Sequence, residues 1–598
     1  MEDFIRNLSY SATTEDVTNE LIRILRRDHY IWLWGPIPVN VEVKLHTRDR
    51  RPGARHSGTG VFTVTVETVA RRFLQEYGGE LPPNTVYILR RPVFFTQSRN
   101  QPQRGTLDKI PISGIEFGWE CRDSVFSCEW SKSLDPSGSL GCDRDRREFR
   151  IVFGPKVIAL RFAQINWTSC GMDGSSPVIC FNLDSAPIFE EAIATPQPNS
   201  SPFARTRISS LDPAHERVVP YASLAVRFIC RSRSCLQMFR ELCTTINFRK
   251  PSDDIYRKED RQLFSAELEQ QLGRWLEQLE FEVAFQVEKI VRDSSVDFRE
   301  ILAIREAVEY LVRSWGPRRT VGVLRSFQSA LRVCEWEDHP DFIPDLFLAT
   351  ARDYVPETKT LADMALEETF SCHHVSVTPT AIKFSGPFQE QSNRVFRRYP
   401  DHHSCFIRVT LEEETRLQLR FDREVDGAAF VRRRYGTILR ETGLKIGGRP
   451  CRFLAYSQSA LKEHSVWFMR SFTDEDGTVV DTASIIHSLG DFEDSRDPKL
   501  ISCPGRYGAR ISQAFTSTYS GVSIQPEEIR KVPDIEVFKT PGDPNSGKWN
   551  HTDGVGTVSS ELANAINVHS SLRRAGPIHT LPTSFQIRFQ GCKVRTLR

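Results

Sequence analysis

The sequence predicts a multidomain α+β protein in which a small α/β sandwich precedes a mixed β region, a helical segment and a second β region. Its 598 residues exceed the roughly 100–200 residues of an ordinary domain. Apolar residues alternate over 115–250 and again over 370–598, as in half-buried strands. Over 255–365 they recur at helical spacing instead, so a helical segment separates the two β regions.

Composition excludes several functional classes. The chain has 79 Lys and Arg against 77 Asp and Glu, so no overall charge excess indicates a nucleic-acid coat or an acidic disordered chain. No run of about 18 apolar residues predicts a membrane span, and the charged start Met1–Arg6 is unlike a signal peptide. The 14 cysteines are scattered, which favours a reducing compartment. We expect an intracellular protein of the nucleus or cytoplasm with no membrane partner.

Residues 1–95 predict the small α/β sandwich. A strand over Asp3–Leu8 precedes Thr13, an N-cap residue with Asp16 three positions later, as in a capping box. A helix with one apolar face is expected after this capping box, and Gly78 is expected to end a second helix. The predicted elements after the first strand are a helix containing Val17, Leu21, Ile24 and Leu25, strands over 39–45 and 58–64, and a helix over 66–77.

The first strand of this domain carries an RNA-recognition signature. Asp3–Leu8 matches the short RNP2 pattern, with Phe4 where an aromatic residue stacks on a base. Ser57–Val64 stands in the place of RNP1, but Thr59 and Val61 occupy its aromatic positions. We therefore predict an RRM-like domain with Phe4 as its RNA-binding candidate. A scaffold or protein-contact domain of the same shape is the alternative.

The regions 115–250 and 255–365 predict secondary structure but no binding or catalytic site. The Pro- and Ser-rich stretch 195–202 is an exposed loop or linker within the β-rich region 115–250. In the region 255–365, Leu268, Leu272 and Trp275 begin a stripe at helical spacing. Such a stripe is more typical of a packed core than of a ligand site.

One segment nearly matches a phosphate-binding loop. Gly542–Trp549 has the glycine spacing and the lysine, but Trp549 replaces the hydroxyl residue that holds Mg²⁺. Pro544 lacks a backbone N–H for the phosphate, and Asp543 would repel it. We interpret the segment as a surface turn.

Two further patterns suggest metal ligands without the expected spacing. The acids of Asp474–Thr478 can share a divalent ion, but the same residues form exposed turns. The pairs within Cys372–His374 and His402–Cys405 offer soft ligands without zinc-site spacing. We assign no metal ligands from the sequence.

Arginine is concentrated between 394 and 440. Its planar guanidinium can contact two phosphate oxygens at once, so arginines that converge would form an RNA channel. The run Arg432, Arg433 and Arg434 is the RNA-binding candidate, with a solvated surface as the alternative. The set comprises Arg394, Arg397, Arg398, Arg408, Arg416, Arg420, Arg423, Arg432, Arg433, Arg434 and Arg440.

From residue 374 onward, several sequence blocks occur in a characteristic order. The sequence resembles the eukaryotic RNA-dependent RNA polymerases of gene silencing, in their fungal form. An RRM-like domain before such a region is also similar to this family's layout. The blocks are Val377–Thr380, Ser392–Arg397, Phe406–Val409, Gly447–Ser459, Glu463–Phe468, Ala509–Tyr519, Thr552–Gly556 and Pro582–Lys593.

The resemblance implies an RNA-directed RNA polymerase that copies an RNA template from NTPs into double-stranded RNA for small interfering RNA production. It implies two double-psi β-barrels, the first of which begins within 370–598. It also implies Mg²⁺ held by an Asp-x-Asp-Gly-Asp loop on the second barrel. RNA template and NTPs are the expected partners, with other silencing-pathway proteins.

The sequence departs from the family at the catalytic loop. Asp474–Thr478 lies upstream of Asp553–Gly556, whereas the family's loop lies downstream, and Thr478 replaces the last aspartate. We therefore assign no catalytic residue and no metal ligand in this chain. The resemblance implies nucleotide or template contact by Arg588 and Lys593.

The end of the sequence at Arg598, soon after Lys593, leads us to expect a truncated first barrel. A chain without the Asp-x-Asp-Gly-Asp loop is expected to be inactive on its own. The alternative is a non-catalytic RNA-binding or adaptor protein derived from such a polymerase.

Overall fold

The structure is a computed structural model with two units, Met1–Leu107 and Asp108–Arg598. The described residues are 2–9, 12–34, 39, 41–47, 56–64, 66–78, 84–89, 91–97, 109–193, 205–333, 342–356, 369–419, 421, 425–490, 502–550, 552, 555–571, 584–589 and 592–597.

The first unit is an α/β sandwich with one five-stranded sheet. The sheet has the order β2-β3-β1-β5-β4, so β1 lies in the middle. Phe4 pairs with Val61 of β3 and with Thr96 of β5. The elements are β1 (Glu2–Arg6), α1 (Thr14–Leu25), α2 (Asp28–Trp34), β2 (Val41–Thr47), β3 (His56–Val64), α3 (Glu67–Tyr77), β4 (Val86–Ile88) and β5 (Arg91–Gln97).

The predicted capping box of α1 is confirmed. The Asp16 backbone N–H donates to the Thr13 hydroxyl at 3.1 Å, and the Thr13 N–H donates back to the Asp16 carboxylate at 2.8 Å. The apolar face of α1 is buried, and Phe73 of α3 contacts Phe62 and Phe95 with ring centroids 5.4 and 5.0 Å apart. The first strand ends at Arg6, two residues earlier than predicted. Asn7 has a φ of 66°, outside the range of a strand.

The second unit begins with a sheet of eleven strands. Its path is β10-β11-β14-β6-β7-β8-β9-β12-β13-β19, with β15 paired to β7 and β19 formed by Val425–Asp426. The first elements are β6 (Ile110–Glu120), β7 (Val125–Asp143), β8 (Glu148–Phe153), β9 (Lys156–Arg161), β10 (Ile165–Asp173), β11 (Ser176–Leu183), β12 (Ile188–Ala192), β13 (Arg205–Ile208), α4 (Pro213–Val218), β14 (Ala225–Cys230), α5 (Ser234–Thr245) and β15 (Arg257–Glu259), with a 3₁₀ turn at Phe162–Gln164.

Helices follow from Ala266 to Asp353, within the region where helical spacing predicts them. No helix among the described residues is long and apolar enough to cross a membrane. Glu300 of the third helix accepts hydrogen bonds from Arg122 at 2.7 and 3.2 Å, which ties the helices to the sheet. The helices are α6 (Ala266–Gln278), α7 (Phe281–Arg292), α8 (Phe298–Ala303), α9 (Arg305–Trp315), α10 (Pro317–Val333) and α11 (Phe342–Asp353).

The next sheet has six strands in the order β17-β16-β18-β22-β21-β20, and its strands β16, β18, β21 and β22 contribute residues to a core on each face. Neighbouring residues of a strand point to opposite faces, so Ile407 lies in one core and Phe406 in the other. The strands are β16 (Thr369–Val377), β17 (Ile382–Gln391), β18 (Phe406–Leu411), β20 (Leu444–Ile446), β21 (Arg449–Ala455) and β22 (Ser465–Met469); β19 (Val425–Asp426) belongs to the larger sheet.

Two glycines allow the helices to approach this sheet. Gly447 and Gly448 have φ values of 56° and 73°, which favour glycine. A Cβ atom on Gly448 would lie 2.8 Å from the backbone nitrogen of Glu277 in α6. The Gly447 N–H donates to Glu288 of α7 at 2.7 Å. The Gly447–Gly448 turn therefore fixes the sheet against α6 and α7.

Short helices and turns surround the six-stranded sheet. Residues Arg432–Gly436 and Ile438–Thr442 are π-helical. The helices are α12 (Arg394–Arg398), α13 (Gly427–Val431), α14 (Gln458–Leu461), α15 (Thr482–His487), α16 (Pro504–Ala514) and α17 (Ser560–Ser571), with 3₁₀ turns at Pro400–Cys405 and Pro526–Glu528. The remaining strands are β23 (Phe472–Thr473), β24 (Val479–Val480), β25 (Glu536–Phe538), β26 (Lys548–Asn550), β27 (Val555–Thr557), β28 (Ser584–Phe589) and β29 (Cys592–Leu597).

A buried ion pair connects β13 of the larger sheet to the segment that follows β18 of the six-stranded sheet. Arg207 of β13 donates to both carboxylate oxygens of Glu413 at 2.9 and 2.7 Å, and the side chains are 4% and 6% exposed. Although burial opposes ionisation, the Arg207 guanidinium lowers the pKa of Glu413 below its usual value. Both groups are therefore charged at neutral pH.

The Arg207–Glu413 pair leads to the first prediction. Replacing Arg207→Ala leaves Glu413 buried without its partner, and we expect a loss of about 3–5 kcal/mol in the free energy of unfolding. The measurement is urea denaturation of the whole chain. Arg305→Ala, which breaks a more exposed pair with Glu309, is the control and should cost less than about 1 kcal/mol. Equal losses in the two variants would contradict the prediction.

His215 gives a second prediction, on pH. The ring lies 4.7 Å from the rings of Phe117 and Trp130, and its Nδ1 accepts the Leu211 N–H at 3.1 Å. Burial lowers the pKa of His215 to about 3. The unfolded chain has a His pKa of about 6.5, so below that pH the unfolded chain binds a proton that the folded protein does not. The contribution of His215 to the free energy of unfolding is therefore fully present above pH 6.5 and is lost as the pH falls.

Between pH 7.5 and pH 5.5 the protonation of His215 in the unfolded chain should lower the free energy of unfolding by about 1.4 kcal/mol. The variant His215→Phe should lack this part of the pH dependence. Urea midpoints at the two pH values measure it. His487→Gln, at an exposed position of α15, is the control and should leave the dependence unchanged. A His215→Phe protein that keeps the full dependence would contradict the assignment.

Candidate nucleic-acid interface

A cleft of about 1180 Å³ in the second unit is lined by four arginines. These arginines come from three separate segments of the chain. Its described lining contains no Asp or Glu, so it is a cationic surface. The arginines are Arg394, Arg397, Arg510 and Arg588.

The helix α12 carries two of these arginines. Asn393 caps it, and its side-chain oxygen accepts the N–H groups of Val395 and Phe396 at 2.9 and 3.1 Å. Val395 and Phe396 are buried in the core on one face of the six-stranded sheet. Arg394 and Arg397 are three positions apart, so they share the other side of this short helix.

The segment after α16 lies against α12. Arg397 donates to the carbonyl oxygen of Thr518, and also to its hydroxyl at 3.0 Å. The Thr518 N–H donates to the carbonyl oxygen of Ser392 at 3.1 Å. Phe515 anchors the same segment in the core, with 2% of its surface exposed. These contacts join two parts of the sequence that are about 120 residues apart.

The other two arginines complete the cleft. Arg510 is exposed on α16. Arg588 of β28 donates to the Thr516 hydroxyl at 2.9 Å, and partial burial lowers its pKa from the usual value. An arginine nevertheless stays protonated at neutral pH. Among the described residues, neither Arg394 nor Arg510 has an ion-pair partner, so both guanidinium groups can bind an anion by donating hydrogen bonds to it.

Aromatic side chains line the same cleft. Tyr519 is 64% exposed at the end of the anchored segment, and Phe585 of β28 also contributes to the lining. Exposed rings beside arginines can stack on the bases of a single strand while the guanidinium groups contact its phosphates.

The structure places the predicted site residues at different locations. Arg588 lies in the cleft. Lys593 lies in β29 and its backbone pairs with Arg588. Phe4 lies in β1 of the first unit. For Phe4, Arg588 and Lys593 the interaction with RNA or nucleotide stays a prediction.

The arginine run at 432–434 is not part of the cleft lining. Arg433 donates to the carbonyl oxygen of Arg207 at 3.0 Å, and the half-buried Arg434 donates to that of Thr378 at 3.3 Å. Arg432 is exposed. RNA binding by the run stays a prediction, but two of its members hold backbone carbonyls within the protein.

The two loop-like motifs form turns. Asp474 Oδ1 accepts the N–H groups of Asp476 and Thr478 at 3.1 and 2.8 Å, which closes the turn between β23 and β24. The segment Gly542–Trp549 lies between the paired strands β25 and β26, and the residues of its turn are largely exposed. The predicted surface turn at 542–549 is confirmed.

Three of the cleft arginines are not singled out by the sequence, although Arg394 and Arg397 belong to the larger set that would form an RNA channel. Arg394 and Arg397 belong to the arginine-rich stretch, and Arg510 belongs to one of the ordered blocks. Block membership is the available signal, because Arg394, Arg397, Arg510 and Arg588 all fall within blocks quoted for the resemblance. Their convergence depends on the contacts of Thr516 and Thr518, which no spacing rule shows.

Comparison with known proteins identifies the region that contains the cleft. The family model described as RNA dependent RNA polymerase matches residues 377–594. RNA-dependent RNA polymerase 1 of Arabidopsis thaliana is 31% identical over 226 residues, covering 37% of this chain and 18% of the relative. RNA-dependent RNA polymerase 6 of the same plant is 29% identical over 243 residues, covering 38% and 18%.

A fungal relative matches as well. RNA-dependent RNA polymerase 1 of Schizosaccharomyces pombe is 26% identical over 251 residues, covering 40% of this chain and 17% of the relative. The matched part thus spans less than a fifth of the length of each of these relatives. Residues 377–594 are thus similar to the RNA-dependent RNA polymerase family.

Proposed function

We propose that this chain is the part of an RNA-directed RNA polymerase of gene silencing that holds the RNA template and the incoming NTP. The observation that carries the proposal is the four-arginine cleft, which lies in the family-matched region and whose arginines come from three of the ordered blocks. The proposed reaction is template-directed synthesis of double-stranded RNA, which feeds small interfering RNA production.

The cleft suits a single-stranded RNA backbone. Arg394 and Arg510 are exposed and lie on different helices, so each can contact a separate phosphate. Arg397 and Arg588 are instead anchored by Thr518 and Thr516, so they keep the walls of the cleft in place. Tyr519 supplies a ring for a base. Positive charge with a stacking platform is the general solution for binding single strands.

Nucleotide contact belongs to the β28–β29 side of the cleft. Arg588 faces the cavity, and the backbone of Lys593 is its register partner. A guanidinium can contact two oxygens of a triphosphate at once. We assign NTP contact to Arg588 and Lys593 on this basis and on the family resemblance.

The family uses a divalent metal, and the expected ion is Mg²⁺. Hard cations of this kind are held by carboxylate oxygens. The described lining of the cleft offers none, and Asp474 uses its Oδ1 to close a turn. The described residues of the cleft therefore do not fit the ion, and we derive no step through it.

The finer architecture is also part of the proposal. In the first unit a βαββαβ chain forms a sheet whose four main strands have the order β2-β3-β1-β5, which supports an RRM-like domain. We propose that 370–598 contributes the first double-psi β-barrel. The proposed domains are 1–95, 115–250, 255–365 and 370–598.

The proposed partners are the RNA template, NTPs and other proteins of the silencing pathway. The proposed location is intracellular, in the nucleus or cytoplasm. The twelve cysteines described as free, most of them buried, support a reducing compartment. The alternative is an RNA-binding adaptor derived from the polymerase, which would share the cleft but not the synthesis.

The cleft generates a third prediction. In the double variant Arg394→Ala/Arg510→Ala, binding of a single-stranded RNA oligonucleotide should weaken. The slope of log K against log salt concentration should fall in magnitude by about 1.4, because each lost phosphate contact to a single strand contributes about 0.7. Fluorescence anisotropy over a salt series measures both quantities.

The matched control is Arg432→Ala/Arg433→Ala, which removes the same charge outside the cleft lining. This variant should keep the wild-type salt slope. A reduced slope in the control together with an unchanged slope in the cleft variant would place RNA on the arginine run and contradict the cleft assignment.

A fourth prediction separates the polymerase from the adaptor. A gene product that includes the Asp-x-Asp-Gly-Asp loop implied by the resemblance should incorporate labelled NTPs complementary to an RNA template in the presence of Mg²⁺. Arg394→Ala/Arg510→Ala should raise the KM for template with kcat unchanged, because template contacts away from the reacting atoms act as uniform binding. A protein that binds RNA through the cleft but incorporates no nucleotide would contradict the polymerase and favour the adaptor.

A further inference from the structure

Three potential metal ligands meet on two neighbouring strands. The Sγ of Cys372, an imidazole nitrogen of His374 and a carboxylate oxygen of Glu390 all lie within 4.8 Å of one another. Cys372 and His374 are two positions apart in β16, so they share one face of the sheet. Glu390 lies in β17 two residues from Phe388, the register partner of Cys372.

We propose that Cys372, His374 and Glu390 bind one Zn²⁺ ion. A thiolate, an imidazole and a carboxylate are the three ligand types that zinc takes from proteins. The thiolate and imidazole also favour zinc over Mg²⁺ or Ca²⁺, which prefer oxygen ligands. The site does not involve the cleft arginines and does not depend on the proposed polymerase activity.

A second layer of contacts orients the carboxylate. Arg408 of β18 donates from Nη1 to Glu390 Oε2 at 2.9 Å and from Nε to the Ser465 hydroxyl at 2.9 Å. Its guanidinium also lies over the ring of Trp467, 5.4 Å from the centroid. The other oxygen, Oε1, points to His374 Nε2 at 2.5 Å. Metal-binding carboxylates are characteristically held by such outer partners.

The local charges favour a cation once the thiol ionises. Burial raises the pKa of Cys372 well above its usual value, so without metal the group is a neutral thiol. Zn²⁺ would displace the thiol proton, which would leave to solvent, and His374 would bind through a ring nitrogen that carries no proton. The ion would then be neutralised by one thiolate and one carboxylate, and Arg408 would keep its contact with Oε2.

The site is closed on one side and open on the other. Cys372 is 0% exposed, whereas the side chains of His374 and Glu390 are 24% and 17% exposed. The ion can therefore enter from the His374 side, and a water molecule can supply the fourth ligand. Glu390 directly precedes Gln391, which lines the cleft, so zinc would fix the end of β17 that leads into α12.

The test measures zinc affinity of the whole chain by competition with a chromophoric chelator. The wild-type protein should bind one equivalent of Zn²⁺. Cys372→Ser and His374→Gln should each lose this binding, and Arg408→Gln should weaken it by about 10–100-fold, as expected for an outer partner. Cys405→Ser is the control, because Cys405 is also buried but lies outside the cluster, and it should bind like wild type.

A second measurement does not depend on the variants folding. Co²⁺ added to the metal-free wild-type protein should give a thiolate-to-cobalt charge-transfer band, and Zn²⁺ should abolish it and raise the melting temperature. Absence of the band in wild type, or equal zinc affinity in wild type and Cys372→Ser, would overturn the proposal. Loss of zinc binding in Cys405→Ser to the same extent as in Cys372→Ser would also overturn it.

Discussion

The contact between Arg397 and Thr518 is the interaction on which the cleft depends. Arg397 donates to both oxygens of Thr518, and the Thr518 N–H donates to the Ser392 carbonyl oxygen. The segment is held at Phe515 by the core and at Thr516 by Arg588. Without these contacts Arg510 and Arg588 would have no fixed relation to α12. The cationic surface is therefore a product of tertiary packing.

The six-stranded sheet supports this arrangement because its two faces serve different purposes. One face packs on Phe281 and Phe285 of α7, and the other buries Val395 and Phe396 of α12. The helices thus stabilise the sheet from one side while the arginine-bearing helix lies on the other. The sheet can pack on helices on both faces because successive side chains of a strand point to opposite faces.

Local signals in the sequence predicted local structure well. The Thr13–Asp16 capping box and the apolar face of α1 are both present, because each depends only on residues three or four positions apart. The site was less accessible to such reasoning. Residues 432–434 are three consecutive arginines, yet the side chains of Arg433 and Arg434 donate hydrogen bonds to backbone carbonyl oxygens of the protein. Glu390 could not be joined to Cys372 and His374, because strand register is not visible in spacing.

The central claim is that single-stranded RNA occupies the arginine cleft. Photocrosslinking with RNA that contains 4-thiouridine, followed by mass spectrometry of the crosslinked peptides, tests it most directly. The account predicts crosslinks to Tyr519 and to the peptide that carries Phe585, which line the cleft. Crosslinks confined to the peptide with residues 432–434, or to the first unit, would contradict it.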